Sequence, residues 1–239
     1  MDITTIIPSF HSPDLDEICI RSIERFKPKG WNVRHVVVEN SDDHSFKQRI
    51  MCLGAVEWVQ NPTEQREASA NAVAIRDGLR LLNTNWALIL HCDTCVVSPM
   101  FFTALERATK SGMKLVGTQY YPPKGKPNCY HCSGIFAHKS VLRKADYTKK
   151  SVDAADDITA YCRREKITRH CFQNTLNDSS LVNSLPEPYK SFHVDRCIMG
   201  GEVAFLHLGR GIPKTRGTYS KPGRVYLKEW VNFCRERIA

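Results

Sequence analysis

Asp93 closes the apolar run Trp86-Ala87-Leu88-Ile89-Leu90 and stands in the polar cluster His91-Cys92-Asp93-Thr94. A run this short and this apolar reads as a strand buried on both faces of a parallel sheet. Ligands of open α/β sheets bind just past the carboxyl ends of such strands. Asp93 is therefore either a metal or substrate ligand or a strand-end turn residue, since Asp also favours turns. A second acidic cluster, Glu39-Asn40-Ser41-Asp42-Asp43, follows the run Val33 to Val38. A third, Asp156-Asp157, opens a helical pattern, where a carboxylate serves as a general base or simply as a cap. Cys129 and Cys132 have the two-residue spacing of a zinc knuckle, which Cys162, His170, Cys171, His193 or Cys197 would have to complete. Buried or free thiols are the alternative reading.

These groups need a frame, and the first half of the chain supplies a regular one. Ile3 to Ile7 is rich in β-branched residues and predicts a strand ended by Pro8-Ser9-Phe10. A helix follows from about Leu15 to Phe26, capped by Ser12 or Asp14, with Leu15, Ile18, Cys19, Ser22 and Ile23 on one face. The second strand is Val33 to Val38. A polar helix, a short strand near Ala55 to Val59, a long helix from Glu64 to Leu82 and the Trp86 strand come next. Pro99 then opens a helix through Ala108. This β-α alternation is the pattern of a doubly wound, mostly parallel sheet flanked by helices. Beyond it the rhythm changes. Strands are predicted at Leu115 to Tyr121, Tyr130 to His138 and Ala204 to Leu208, and helices at Asp153 to Lys166 and Tyr226 to Ile238. No linker separates these segments, so one α/β domain is expected.

The net charge of +9 is unevenly spread. Residues 1–113 carry 12 Lys and Arg against 14 Asp and Glu, whereas residues 114–239 carry 22 against 11. The second half therefore suits an anionic partner, such as nucleotide phosphates, a nucleic acid or an acidic glycan, or else presents a solvated basic face. No apolar run approaches the ~20 residues needed to span a bilayer. The N-terminus lacks the basic and apolar regions of a secretory signal. A cytoplasmic setting with reduced thiols is the expectation, despite ten cysteines. Cys19, Cys52, Cys92, Cys162 and Cys234 fall in apolar or helical patterns, where Cys acts as a small hydrophobe.

Taken in order, the chain resembles a family 2-like glycosyltransferase of the GT-A fold. Ile6-Ile7-Pro8-Ser9-Phe10 is similar to the opening strand and turn of that family. Val36 to Asp43 resembles its second strand and acidic end, with Glu39 in place of Asp. Asn61 through Asn71 is similar to the segment before its third strand, without the usual Gly. Leu90-His91-Cys92-Asp93-Thr94 resembles its D-x-D stretch, with His91 where the first carboxylate usually stands. Ser133 to Val141 resembles its acceptor-side segment, Asp156-Asp157 with Arg163 its catalytic helix start, and His207 its C-terminal metal-binding His.

The resemblance implies transfer of a sugar from a nucleotide-diphosphate sugar to a hydroxyl acceptor, with inversion. The acceptor is a glycan, a lipid-linked or protein group, or modified DNA. It implies Mn²⁺ or Mg²⁺ on Asp93 and His207, assisted by His91 or water, and the imidazoles favour Mn²⁺. Pro8, Ser9, Glu39, Asn40 and Cys92 would line the nucleotide-sugar site. Arg66 would contact the base or pyrophosphate, and Arg210 and Lys214 would close over the phosphates. Asp157 is the implied base, because matching Arg163 to the family pattern favours it over Asp156, the second candidate. On this reading residues 1–113 bind the donor and residues 114–239 the acceptor. Competing readings are a nucleotide-binding protein with a degraded metal site, a nucleotidyltransferase or pyrophosphorylase, and a nucleic-acid-binding module. The nucleotidyltransferase would need a Gly-rich basic loop where Pro8 to Pro13 stands.

Overall fold

The computed structural model describes residues 1–64, 67–120, 129–147, 154–209 and 225–239. Ten strands form one mixed sheet. In chain order they are β1 (Asp2–Ser9), β2 (Asn32–Glu39), β3 (Val56–Gln60), β4 (Trp86–Ile89), β5 (Thr94–Val96), β6 (Leu115–Tyr120), β7 (Cys129–His138), β8 (Arg169–Asn174), β9 (Asp195–Met199) and β10 (Glu202–His207). Their spatial order is β3-β2-β1-β4-β7-β6-β8-β9-β10-β5. The pairs from β3 to β4 are parallel. Beyond β4 only β6 and β8 run parallel, and every other pairing is antiparallel. The expected parallel sheet thus holds for the first half of the fold and becomes mixed after it.

Among the described residues seven α-helices flank the sheet: α1 (Pro13–Phe26), α2 (Lys47–Met51), α3 (Glu67–Arg80), α4 (Met100–Lys110), α5 (Lys139–Leu142), α6 (Asp156–Arg164) and α7 (Leu227–Ile238). Strand residues alternate between two apolar cores, as the pleat requires. Ile3, Ile7, Val37 and Leu88 pack with Leu15 and Ile18 of α1, Phe101 and Phe102 of α4, and Trp230 of α7. Ile6, Ala87 and Ile89 face the other way, onto Ile75 and Leu79 of α3, Leu142 of α5 and Ile158 of α6. Both faces of β1 and β4 are therefore dry, which is why their sequences are apolar without alternation. Cys52, expected inside a pattern, is exposed at the end of α2.

The position of β5 shapes the molecule. Only four residues, Leu90 to Asp93, join β4 to β5, yet six strand spacings separate the two in the sheet. Six spacings in a flat sheet span about 29 Å. The link from Ile89 to Thr94 reaches at most about 19 Å. The sheet must therefore curl until its β10 end returns to β4. Backbone bonds anchor the link at both ends, Leu90 N–H to Ile6 O at 3.1 Å and Leu208 N–H to Asp93 O at 2.9 Å. The residues most able to do chemistry lie on the link that spans this curl.

Candidate active site

Asp93 and His207 meet where β10 returns to the link. Leu208 binds the backbone of Asp93, and His207 pairs with Thr94 in the β5–β10 register. Nε2 of His207 lies 3.3 Å from Oδ1 of Asp93. Its Nδ1 lies 3.4 Å from Oδ2 of Asp195, its register partner on β9. Burial disfavours a charged imidazole here, but Asp93 and Asp195 outweigh it and push the His207 pKa up to about 10. Without a metal the ring is thus a cation between two carboxylates. A divalent ion taking that place must displace the ring proton.

Two more imidazoles reach the same point. His91 stands on the link and His131 at the start of β7, which runs antiparallel to β4. One ligand nitrogen from each of His91, His131 and His207 lies within 4.8 Å of the others. The rings of His131 and His207 are 5.0 Å apart between centroids, and those of His91 and His207 5.6 Å. Sγ of Cys132 contacts Nε2 of His91, which also lies 3.1 Å from the amide nitrogen of Asn71 on α3. Among the described residues this is the one His, Cys, Asp and Glu group compact enough to hold an ion. It contains none of the cysteines proposed for a zinc knuckle. Cys162 is buried in the α6-side core, and Cys197 accepts from Thr118 Oγ1 at 3.7 Å.

A second acidic pocket lies at the ends of β1 and β2. Glu39 is fully buried, and its Oε1 accepts from the backbone N–H of Ser41 at 2.9 Å and of His11 at 3.2 Å. Its Oε2 has no hydrogen-bond partner. Ser9, also buried, donates its hydroxyl to Oδ2 of Asp16 at 2.6 Å. Burial raises the Asp16 pKa well above the usual carboxylate range, Ser9 partly offsets this, and the charge of Glu39 raises it further. Cys92 lies close to the same charges. Burial first, then Asp16, Asp93 and Glu39, keep it a neutral thiol. Asn40 braces the loop before α3: its amide donates to Ala70 O at 3.3 Å and accepts from Asn61 at 3.1 Å. Pro8 pairs with Val38 inside the sheet.

Asp156 and Asp157 occupy the first turn of α6, as expected. The helix docks on β7 through Thr159, whose Oγ1 accepts from Tyr130 N–H at 3.0 Å, one residue before His131. A small open recess of about 10 Å³, roughly the size of one water, lies beside His131 and His207, lined by Thr118, Ser133, Asn174 and Asp195. The buried hydroxyl of Ser133 has no hydrogen-bond partner. Arg66, Arg210 and Lys214 lie outside the described residues.

Sequence reasoning missed Asp16, Asp195 and the role of His131. Asp16 carried a signal, since it falls on the buried stripe of α1 with Cys19, Ile20 and Ile23. Asp195 carried none, because β9 was not anticipated. His131 was legible only as part of a cysteine pair.

With the strand order and this geometry established, the chain is similar in fold to several solved glycosyltransferases. A mannosyltransferase from Pyrobaculum calidifontis, solved with GDP-Man and Mn²⁺, superposes with a TM-score of 0.54 at 17% identity over 71% of this chain. Glucosyl-3-phosphoglycerate synthase from Mycobacterium tuberculosis, solved with Mn²⁺ and UDP-glucose, gives 0.51 at 14% identity over 71% of this chain and 68% of its own. The chain shares its overall fold with these two enzymes. It spans about half, 53%, of the mannosyltransferase. No protein-family model matches the sequence, and no curated protein matches it in sequence. No helix among the described residues is long and apolar enough to cross a membrane.

Proposed function

We propose that this chain is a metal-dependent, inverting glycosyltransferase that moves a sugar from a nucleotide-diphosphate sugar to a hydroxyl acceptor. The observation that carries the proposal is the Asp93–His207 pair, 3.3 Å apart at the curl of a glycosyltransferase fold. The donor set fits a divalent ion, because the buried carboxylate of Asp93 lies 3.3 Å from the buried imidazole of His207, and that imidazole groups with those of His91 and His131. Asp93 and His207 would hold it, and when bound it supplies positive charge against the departing diphosphate.

The chain's own residues do the rest. Glu39 would read the base or ribose through Oε2, the oxygen that the fold leaves unpaired. Ser9 and Pro8 shape the same wall, Asn40 holds the loop above it, and Cys92 lies between the two acidic pockets. Arg66 would contact the pyrophosphate or base. Arg210 and Lys214, just after His207, would bring counter-charge to the phosphates. Asp157, or Asp156 beside it, would take the proton of the acceptor hydroxyl as it attacks. The acceptor would approach past His131 and Ser133, which line the small recess beside His207. On this reading residues 1–113 hold the donor and residues 114–239 the acceptor. The 22 basic residues of the second half favour an anionic or polyhydroxyl acceptor, nucleic acid included.

A panel of sugar nucleotides, each incubated with Mn²⁺ and with a chelator, tests the proposal by release of nucleoside diphosphate. Release that stops with the chelator is expected for at least one donor. Absence of both release and thermal shift with every donor would remove the assignment.

A further inference from the structure

The same crossing of strands carries a chemical identity that the two-residue Asp93–His207 pair does not. We propose that His91, His131 and His207 form a three-imidazole centre that binds a transition-metal dication without nucleotide and rejects Mg²⁺. The inference uses the site of the proposed transferase but not the transfer itself.

Three independent segments deliver the rings: the link after β4, the start of β7 and the end of β10. Their ligand nitrogens lie within 4.8 Å of one another, close enough for one ion to reach all three after small side-chain shifts. Donor chemistry then decides the ion. Mg²⁺ requires near-octahedral oxygen ligands and gives up water reluctantly. Imidazole nitrogen suits Zn²⁺, Co²⁺, Fe²⁺, Ni²⁺ and Cu²⁺, with affinity rising along the first-row series. Three His ligands and one open position are also a recognised catalytic zinc arrangement. Cys132, against His91, adds a soft atom beside the centre rather than a hard one.

The surrounding groups support this assignment. Asp195 faces Nδ1 of His207, the carboxylate–histidine contact that leaves Nε2 directed at Asp93 and the centre. His131 Nδ1 accepts from Ser133 N–H at 3.1 Å. A metal on His131 would displace that bond, directly at Nδ1 or, at Nε2, because the ring proton must then pass to Nδ1. Nothing else about the strand positions has to change. The mycobacterial synthase with the same fold has been solved with Mg²⁺ and UDP as well as with Mn²⁺ and UDP-glucose. This chain should separate those two ions.

The full chain, stripped with a chelator and free of nucleotide, is titrated with Co²⁺, Zn²⁺ and Mg²⁺ in competition with a chromophoric chelator. One equivalent of Co²⁺ or Zn²⁺ is expected to bind, and a thousand-fold excess of Mg²⁺ is expected to leave it in place. His131→Ala and His91→Ala should each weaken Co²⁺ binding at least ten-fold with an unchanged metal-free circular dichroism spectrum. Should either alanine variant fail to fold, His131→Gln or His91→Gln, which keep the bulk, takes its place. Failure of Co²⁺ and Zn²⁺ to bind without nucleotide, displacement by Mg²⁺, or full affinity in both variants would overturn the inference. Its failure is distinct from failure of the transferase reading. Tight Co²⁺ binding in a chain that releases diphosphate from no donor supports this centre and removes the transferase. Release supported equally by Mg²⁺ and Mn²⁺ does the reverse.

Discussion

Asp195 and His207 are direct cross-strand partners, with Oδ2 of the carboxylate 3.4 Å from Nδ1 of the ring. A carboxylate in this position fixes which nitrogen of a histidine is free to ligate, and it raises that nitrogen's basicity. Asp195→Asn should therefore weaken metal binding by about 10–100-fold, although Asp195 need not touch the ion. Chelator competition measures this directly. Metal-independent nucleotide binding, followed by calorimetry, should stay unchanged; its loss would make Asp195 a general structural residue.

Asp16 gives the protein a pH dependence that can be assigned to one group. Its folded-state pKa is raised well above the ordinary 3.8, chiefly by burial. The folded chain thus holds this proton more tightly than the unfolded chain does. The stability this contributes is complete below about 3.8 and is lost as pH rises through the raised value. Asp16→Asn keeps an acceptor for the Ser9 hydroxyl and abolishes the titration. The variant should lose less stability than the native protein as pH rises from acid to neutral. Denaturant midpoints across the acid-to-neutral range give the comparison. An identical slope in both proteins would place the linkage elsewhere.

Gly134 tests the floor of the recess. Its φ of +102° lies outside the range that side chains favour, and an added Cβ would meet Cζ of Phe205 at 2.6 Å. Phe205 is 2% exposed and packs edge-on against Phe101, so it has little room to retreat. Gly134→Ala should cost about 2–4 kcal/mol, read as a lower urea midpoint with an unchanged slope.

The proposed base has its own test. Asp157→Asn should leave donor affinity intact and slow transfer by about 10²–10⁴-fold. Undiminished transfer would shift the role to Asp156 or to another group at the recess.

Much of the frame was legible because its causes are local. The buried runs of β1, β2 and β4 and the stripes of α1 and α4 announce themselves through residue type and period. The prediction ended the Trp86 strand at Leu90, one residue beyond its observed end at Ile89. What escaped was the part set by distant partners. β5 is three residues long and is defined by β10, and β8, buried only at its last residue, lacks a continuous apolar signal. The site divides in the same way. Asp93, Glu39 and His207 stand at strand ends that local patterns reveal. Asp195 and His131 reach His207 only through pairings that no local pattern encodes.

The four-residue link between β4 and β5 has a consequence for how the molecule is made. Val96 waits for Phe205 before β5 has any strand partner, so the curl closes only when strands from the far end of the chain arrive. Pairings between distant segments form slowly, since loop entropy is lost before their contacts form. His91 and Asp93 can then meet His207 only in the finished fold. An emerging or half-folded chain would have no assembled centre, and capture of an ion would mark the end of folding rather than guide its start.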